Sequence, residues 1–190
     1  ILINWFTGTR KNLTLGFPEA FNKLDLSRAY NAHTKNLKPI PHEIVADGPI
    51  FDNILEGSHI DVTKFPAPLW NPEDGGRYIG TGCFVITRDP DTGWINCGTY
   101  RVMVHDEKRV GLYISPGKHG RIHRDKYMAK GEAMPVCIVI GSDPLSFLTS
   151  STEAPEGMCE LDMMGAYRGH PVECVTGKHT GLPFPANSEI

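Results

Sequence analysis

A chain of 190 residues has the length of one domain, or one and a half, and can bury a core of its own. With 40% apolar and 22% charged residues, a mainly disordered chain is excluded. The net charge of −3 leaves no basic field to hold a phosphate backbone, which excludes nucleic acid as the expected partner.

The 20 Gly and 15 Pro are spread along the chain, a pattern of short strands joined by turns that excludes a helical bundle. The best helical periodicity runs over 12–33, with Leu13, Phe17, Ala20, Phe21 and Leu24 on one stripe. Pro18 suits a first helical turn, and Asp25 or Ser27 a cap for a second helix. Pro39 and Pro41 open an extended stretch, 42–45 alternates weakly, and Asp47-Gly48-Pro49 signals a turn. Residues 65–70, with Pro66 and Pro68, fit neither a helix interior nor a central strand. Asp74-Gly75-Gly76 is a further turn.

Strands follow. Residues 82–87 and 94–104 form a predicted hairpin around the turn 89–93, and a turn at 105–108 leads to a strand over 109–115. Pro116-Gly117 breaks that strand, and a short helix is predicted over 119–130. The unbroken apolar run 135–140 predicts a fully buried strand. Residues 144–151 are ambiguous, 160–168 are helical with Gly169 as the stop, and 172–175 make the last strand before a Pro-rich tail. The expected class is α+β with mainly antiparallel strands, open or closed into a barrel.

The five Cys are scattered, odd in number and free of any CxxC pair, which excludes a zinc ribbon and points to a reducing, cytoplasmic setting. No run reaches the ~20 apolar residues of a membrane span, and no signal peptide is visible. The first residue is Ile, so the chain reads as a processed or partial piece of a longer protein.

Three polar residues suggest chemistry. Asn96 stands in a strand suited to burial, His119 follows a strand exit, and Glu160 opens a helix. An amide oxygen, an imidazole and a carboxylate make a plausible ligand set for Mg²⁺ or Mn²⁺. Each also has an ordinary reading, as a turn support, a loop histidine and a first-turn acid. Arg101 lies five positions past Asn96, an odd offset that puts the two on opposite strand faces unless Gly98 forms a bulge. Arg101 suits a carboxylate or phosphate, or a surface ion pair. The run Lys118, His119, Arg121, His123, Arg124 and Lys126 is either a phosphate site, helped by the amides of Gly117 and Gly120, or a solvated turn. Ser150, Ser151 and Thr152 suit an alkali cation, a phosphate or simply a turn.

These segments, read in order, resemble the UbiD family of reversible decarboxylases that use prenylated FMN. The matching pieces are Asp47-Gly48-Pro49, DVTKFPAPLW over 61–70, DGGRYI over 74–79 and TRDPDTG over 87–93. They continue with NCGTYR over 96–101, Pro116-Gly117-Lys118-His119, Glu160 before GAYRG over 165–169, and PANSEI at 185–190. The resemblance implies a split β-barrel of the flavin-reductase, FMN-binding type over 41–190, with 1–40 as a helical flank. It implies prenylated FMN or FMN, lined by Asn96, Cys97, Gly98, Thr99, Tyr100 and Arg101 and approached by Lys118. A divalent Mn²⁺ or Mg²⁺ is implied on Asn96, His119 and Glu160, and a K⁺ near Trp94, Thr149, Ser150, Thr152 and Glu160. Arg101 is implied to orient the substrate carboxylate. Further implications are an aromatic or α,β-unsaturated acid substrate, a flavin prenyltransferase as cofactor supplier, and a homo-oligomeric full-length protein.

The chain departs from the family in ending before a Glu-Gly-Pro-Phe-Gly-Glu type motif and a C-terminal α/β domain. The isolated chain is therefore expected to bind flavin and metal but to show little decarboxylation. The alternatives are a flavin-binding module or accessory subunit completed by another chain, and, by analogy of barrel alone, a flavin reductase. The form of SPGKHGRIHRDKY at 115–127 points weakly toward hydroxylated benzoates or small heteroaromatic acids.

Overall fold

The computed structural model describes residues 22–190. Helix α1 is Lys23–Thr34, capped by Asn22, whose side chain accepts the Leu24 and Asp25 amide hydrogens. The expected caps Asp25 and Ser27 therefore lie inside the helix, and the predicted segment before residue 22 lies outside the described residues. Strands β1 (Glu43–Ile44), β2 (Tyr78–Gly80), β3 (Phe84–Arg88), β4 (Ile95–Gly98), β5 (Arg101–Val104) and β6 (Val110–Tyr113) follow, with single 3₁₀ turns between β1 and β2. Then come α2 (His119–Ala129), β7 (Cys137–Val139), α3 (Pro144–Ser150), α4 (Glu160–Arg168), β8 (Glu173–Thr176) and β9 (Pro183–Pro185).

The class is α+β and mostly antiparallel, as expected. The strands form three separate three-stranded sheets, ordered β1-β8-β9, β2-β5-β6 and β4-β3-β7, and do not close into a barrel. One pair, β1 with β8, is parallel. The predicted strand over 94–104 is two strands in two sheets, because Thr99 and Tyr100 break the ladder between them. Strands β2 and β9 were not expected from the sequence. Both are sheet edges, and an edge tolerates the two prolines of β9, whose missing amides owe no ladder bond there.

The β4-β3-β7 sheet is covered on both faces, which is why β3 carries an almost unbroken apolar run. One face, with Phe84, Ile86, Ile95, Cys97 and Val139, packs on Leu161 and Met164 of α4 and on Val172, Cys174 and Leu182. The other face carries Val85, which joins Cys83 and Val102 of β5 in a second cluster. The run at 135–140 is not the fully buried strand predicted: β7 is an edge, only Val139 is fully buried, and Ile140 pairs by two backbone hydrogen bonds with Ile190.

Helix α4 is the hub. Gly169 ends it in the left-handed region at φ 78°. Tyr30 of α1 stacks on Tyr167 with ring centroids 6.0 Å apart. Asp162 of α4 holds the chain before β1, accepting the His42 amide hydrogen at 3.0 Å and approaching His42 Nδ1 at 2.7 Å. All five thiols are free. Among the described residues, no helix is long and apolar enough to cross a membrane.

Candidate functional site

The site is built where three elements end together. Asn96 of β4 lies opposite Thr87 of β3 in register, so both side chains share one face. Asn96 is 2% exposed. Its Nδ2 donates to Thr87 Oγ1 at 3.4 Å and to Tyr100 Oη at 3.3 Å. With both amide hydrogens so directed, Oδ1 is the atom left for a cation. Cys97, the next residue, faces the opposite way into the core, where burial pushes its thiol well above its ordinary range. What Cys97 gives the site is its backbone: its N–H donates to Glu160 Oε2 at 2.8 Å.

Strand β4 stops at Gly98 and β5 starts at Arg101 in another sheet. No bulge is needed to bring Arg101 to the side of Asn96; the change of sheet does it. Thr99 N–H donates to Ser150 O at 3.2 Å, tying this crossing to the end of α3. Tyr100 lies against two glycines. A Cβ at Gly98 would come 2.4 Å from Tyr100 Oη, and one at Gly120 would come 2.8 Å from Tyr100 Cε2. Tyr100 Oη accepts the Gly120 amide hydrogen at 3.1 Å. Burial pushes the phenol up, so it stays a neutral hydroxyl.

Gly117, at φ 83°, turns the chain from β6 toward α2 in a conformation other residues avoid. His119 is the first residue of α2. Its ring is held edge-on by Trp94 with centroids 4.7 Å apart, and Trp94 is itself fixed by donating Nε1–H to Met158 O at 3.0 Å. This grip uses no ring nitrogen of His119. Glu160 begins α4 and is 2% exposed. Burial pushes its carboxyl up to about 7, although the Cys97 amide pulls the other way. No basic side chain among the described residues pairs with it.

A cavity of about 200 Å³ joins these groups. It is lined by Asn96, Cys97, Gly98, Thr99, Tyr100 and Arg101 from the strand crossing, by Lys118 and His119, and by Glu160, so that every residue expected at the flavin and the divalent cation is present. Of the expected potassium residues, Ser150 and Thr152 line it; Trp94 stands behind His119, and Thr149 is buried with Oγ1 donating to Leu145 O. Tyr113 and Glu153 also line the cavity and carried no motif that marked them; Ser115, first residue of the 115–127 segment, lines it as well. The Arg101 guanidinium forms no ion pair with a described residue. Lys118 pairs with Glu153 at 2.5 Å, which holds each more firmly charged than usual.

The basic run on α2 disperses. Arg121 and Arg124 pair with Asp125, and Lys126 pairs with Asp89, leaving only Lys118 and His119 at the cavity. Burial tends to raise Asp89, but Lys126 and the amides of Asp91 and Thr92 outweigh it and keep the carboxyl below its ordinary range. His123, with its side chain fully buried, meets Thr87 Oγ1 at 2.9 Å through Nδ1. Burial lowers its imidazole to about 4, against the pull of Asp89. The unfolded chain then takes up a proton on His123 that the folded chain refuses. Stability from this residue is full above its ordinary value of 6.5 and is lost as pH falls toward 4. Denaturant melts across that window are expected to show the decline, and to show less of it in His123→Asn.

The sequence signature described as UbiD, 3-octaprenyl-4-hydroxybenzoate carboxy-lyase Rift-related domain, matches residues 43–190. A pyrrole-2-carboxylic acid decarboxylase of Pseudomonas aeruginosa is 32% identical over 182 residues, covering 96% of this chain and 36% of the relative. The vanillic acid decarboxylase of Sedimentibacter hydroxybenzoicus superposes with a TM-score of 0.85 at 28% identity, over 95% of this chain and 39% of that one. An evolved dimeric form of the UbiD-class enzyme HmfF from Pelotomaculum thermopropionicum, solved in complex with prFMN, superposes with a TM-score of 0.81 at 26% identity, over 95% of this chain and 41% of that one. The chain thus spans little more than a third of the length of these relatives. With the signature covering most of its length, the chain belongs to the UbiD family.

Proposed function

We propose that this chain is the cofactor-binding domain of a non-oxidative carboxy-lyase acting on an aromatic or α,β-unsaturated acid. The observation that carries the reading is the convergence of Asn96, His119 and Glu160, separated by 23 and 41 positions, on one cavity beside Arg101 and Lys118. The donor set fits a hard or borderline divalent ion: an amide oxygen, an imidazole nitrogen and a carboxylate, with the neighbouring thiol turned away. Glu160, buried without a basic partner among the described residues, is the carboxylate such an ion would stabilise.

On this reading Asn96, His119 and Glu160 would hold a Mn²⁺ or Mg²⁺, whose charge would anchor the phosphate of prenylated FMN. The bound flavin supplies the electron sink for loss of CO₂. The chain's own residues bind and orient. Arg101, with no ion pair among the described residues, holds the substrate carboxylate through paired hydrogen bonds. Lys118 leaves Glu153 to meet the phosphate. The oxygens of Ser150 and Thr152, with Glu160, suit a K⁺ at the adjoining wall, flanked by Trp94 and Thr149. On this reading the flavin-binding region lies within 41–190, where the two sheets meet at Tyr100, and 1–40 is a flank. The complete protein is a homo-oligomer supplied by a flavin prenyltransferase. Small heteroaromatic or hydroxylated aromatic acids are the favoured substrates, given the decarboxylases it is similar to.

Binding of FMN, followed by quenching of its fluorescence, tests the reading. The 190-residue chain is expected to bind FMN with Mn²⁺ present and to lose it with chelator. Flavin binding indifferent to the cation, or no binding, would overturn the reading. CO₂ release by the complete protein but not by this chain alone separates the lyase from a non-catalytic flavin module or accessory subunit.

A further inference from the structure

We propose that Thr87, His123 and Asp89 are positioning residues that set which way the Asn96 amide faces, so that its oxygen and not its nitrogen is presented to the cation. The proposal rests on the reading of Asn96 as a ligand. A side-chain amide can flip at almost no steric cost, and only one of its two orientations can bind a metal ion. Tyr100 cannot choose between them, because its hydroxyl accepts from Nδ2 in one orientation and donates to Oδ1 in the other. The choice is made behind the site, in a chain of buried contacts.

Asp89 starts the chain. It is 3% exposed and anchored by Lys126 Nζ at 2.5 Å and by the Asp91 and Thr92 amides at 2.8 and 3.3 Å. Its Oδ2 lies 3.9 Å from His123 Nε2, which has no hydrogen-bond partner among the described residues. A carboxylate at that range favours a ring with the proton on Nε2 and opposes one with a lone pair there. The neutral ring, in the dry interior with Trp94 edge-on at 4.9 Å, then offers Nδ1 as an acceptor. Thr87 must donate its only hydroxyl hydrogen to Nδ1, over 2.9 Å. Its oxygen is left with acceptor lone pairs alone, and these take Asn96 Nδ2–H at 3.4 Å. The opposite flip would need Thr87 to donate to Asn96 and accept from His123 Nδ1–H. That would leave a bare Nε2 lone pair facing Asp89. Each link therefore excludes the wrong amide orientation by one step of donor and acceptor matching. Lys126, and His119 across Trp94, are the other charged or titratable groups nearby.

The test measures Mn²⁺ affinity of the full chain without flavin, by electron paramagnetic resonance of the free ion. Thr87→Val keeps the volume and removes the hydroxyl; Thr87→Ser keeps the hydroxyl. Thr87→Val is expected to weaken Mn²⁺ binding about 10- to 100-fold, with Thr87→Ser close to the parent. A folded Thr87→Val that binds like the parent overturns the proposal. So does a Thr87→Ser as weak as Thr87→Val, because then volume and not the hydroxyl matters. Should Thr87→Val fail to fold, Asp89→Asn decides: its side-chain oxygen still accepts the turn amides, so weakened Mn²⁺ binding supports the proposal and unchanged binding overturns it. If the parent chain binds no Mn²⁺ at all, it is the reading of Asn96, His119 and Glu160 that fails.

Discussion

Glu160→Gln is expected to weaken Mn²⁺ binding by at least about 100-fold, or ~2.7 kcal/mol, while leaving the cation-free chain as stable as the parent or more so. The two effects have opposite signs for one reason. Glu160 is 2% exposed, and burial pushes its carboxyl up to about 7, so above that pH the empty chain holds a charge it would rather not carry. Gln keeps an oxygen for the Cys97 amide, now 2.8 Å from Oε2, and carries no charge. Its gain at pH 8 is on the order of 1–3 kcal/mol. A cation reverses the balance, because it needs the negative ligand that burial penalises. Calorimetric titration with Mn²⁺ and denaturant melts at pH 8 read the two effects separately. A variant that loses stability and keeps its Mn²⁺ affinity would show Glu160 to be a structural acid.

Gly98→Ala is expected to cost about 2–3 kcal/mol of stability and to remove measurable flavin binding. The added Cβ would sit 2.4 Å from both Cζ and Oη of Tyr100, so the ring has to leave. It cannot slide toward α2, because Gly120 leaves no spare room on that side. With the ring go the hydrogen bonds to Asn96 Nδ2 and to the Gly120 amide, and a wall of the cavity opens. In a Tyr100→Ala background the three atoms nearest the added Cβ are gone, and the same change is expected to cost far less. That non-additivity, read from thermal melts of the four chains, ties the penalty to this contact and not to strand propensity.

Much of the local structure is legible in the chain. Gly169 stops α4 because only glycine is at ease at φ 78°, and 160–168 is read correctly to the residue. The turn 89–93 and the hairpin around it follow from Asp-Pro-Asp-Thr-Gly. The misreadings share one cause. Periodicity cannot tell an interior strand from an edge, so 135–140 looks buried when β7 is an edge, and Pro-rich β9 looks like tail when it is one. Nor can it show that a strand changes sheets, which is what places Arg101 beside Asn96.

For the candidate site the division is sharper. The linear chain determined the ligand types and, through the order of its motifs, the family, because both depend only on which residues stand in which sequence. The resemblance implied that Asn96, His119 and Glu160 form one site, and the tertiary structure puts them on one cavity; only the tertiary structure decided that Lys118 is held by Glu153 and that Thr87, His123 and Asp89 stand behind the amide. Those relations depend on how three separate sheets and the starts of two helices are stacked. That stacking is set by burial of apolar faces contributed from across the chain, a quantity no local stretch of residues carries.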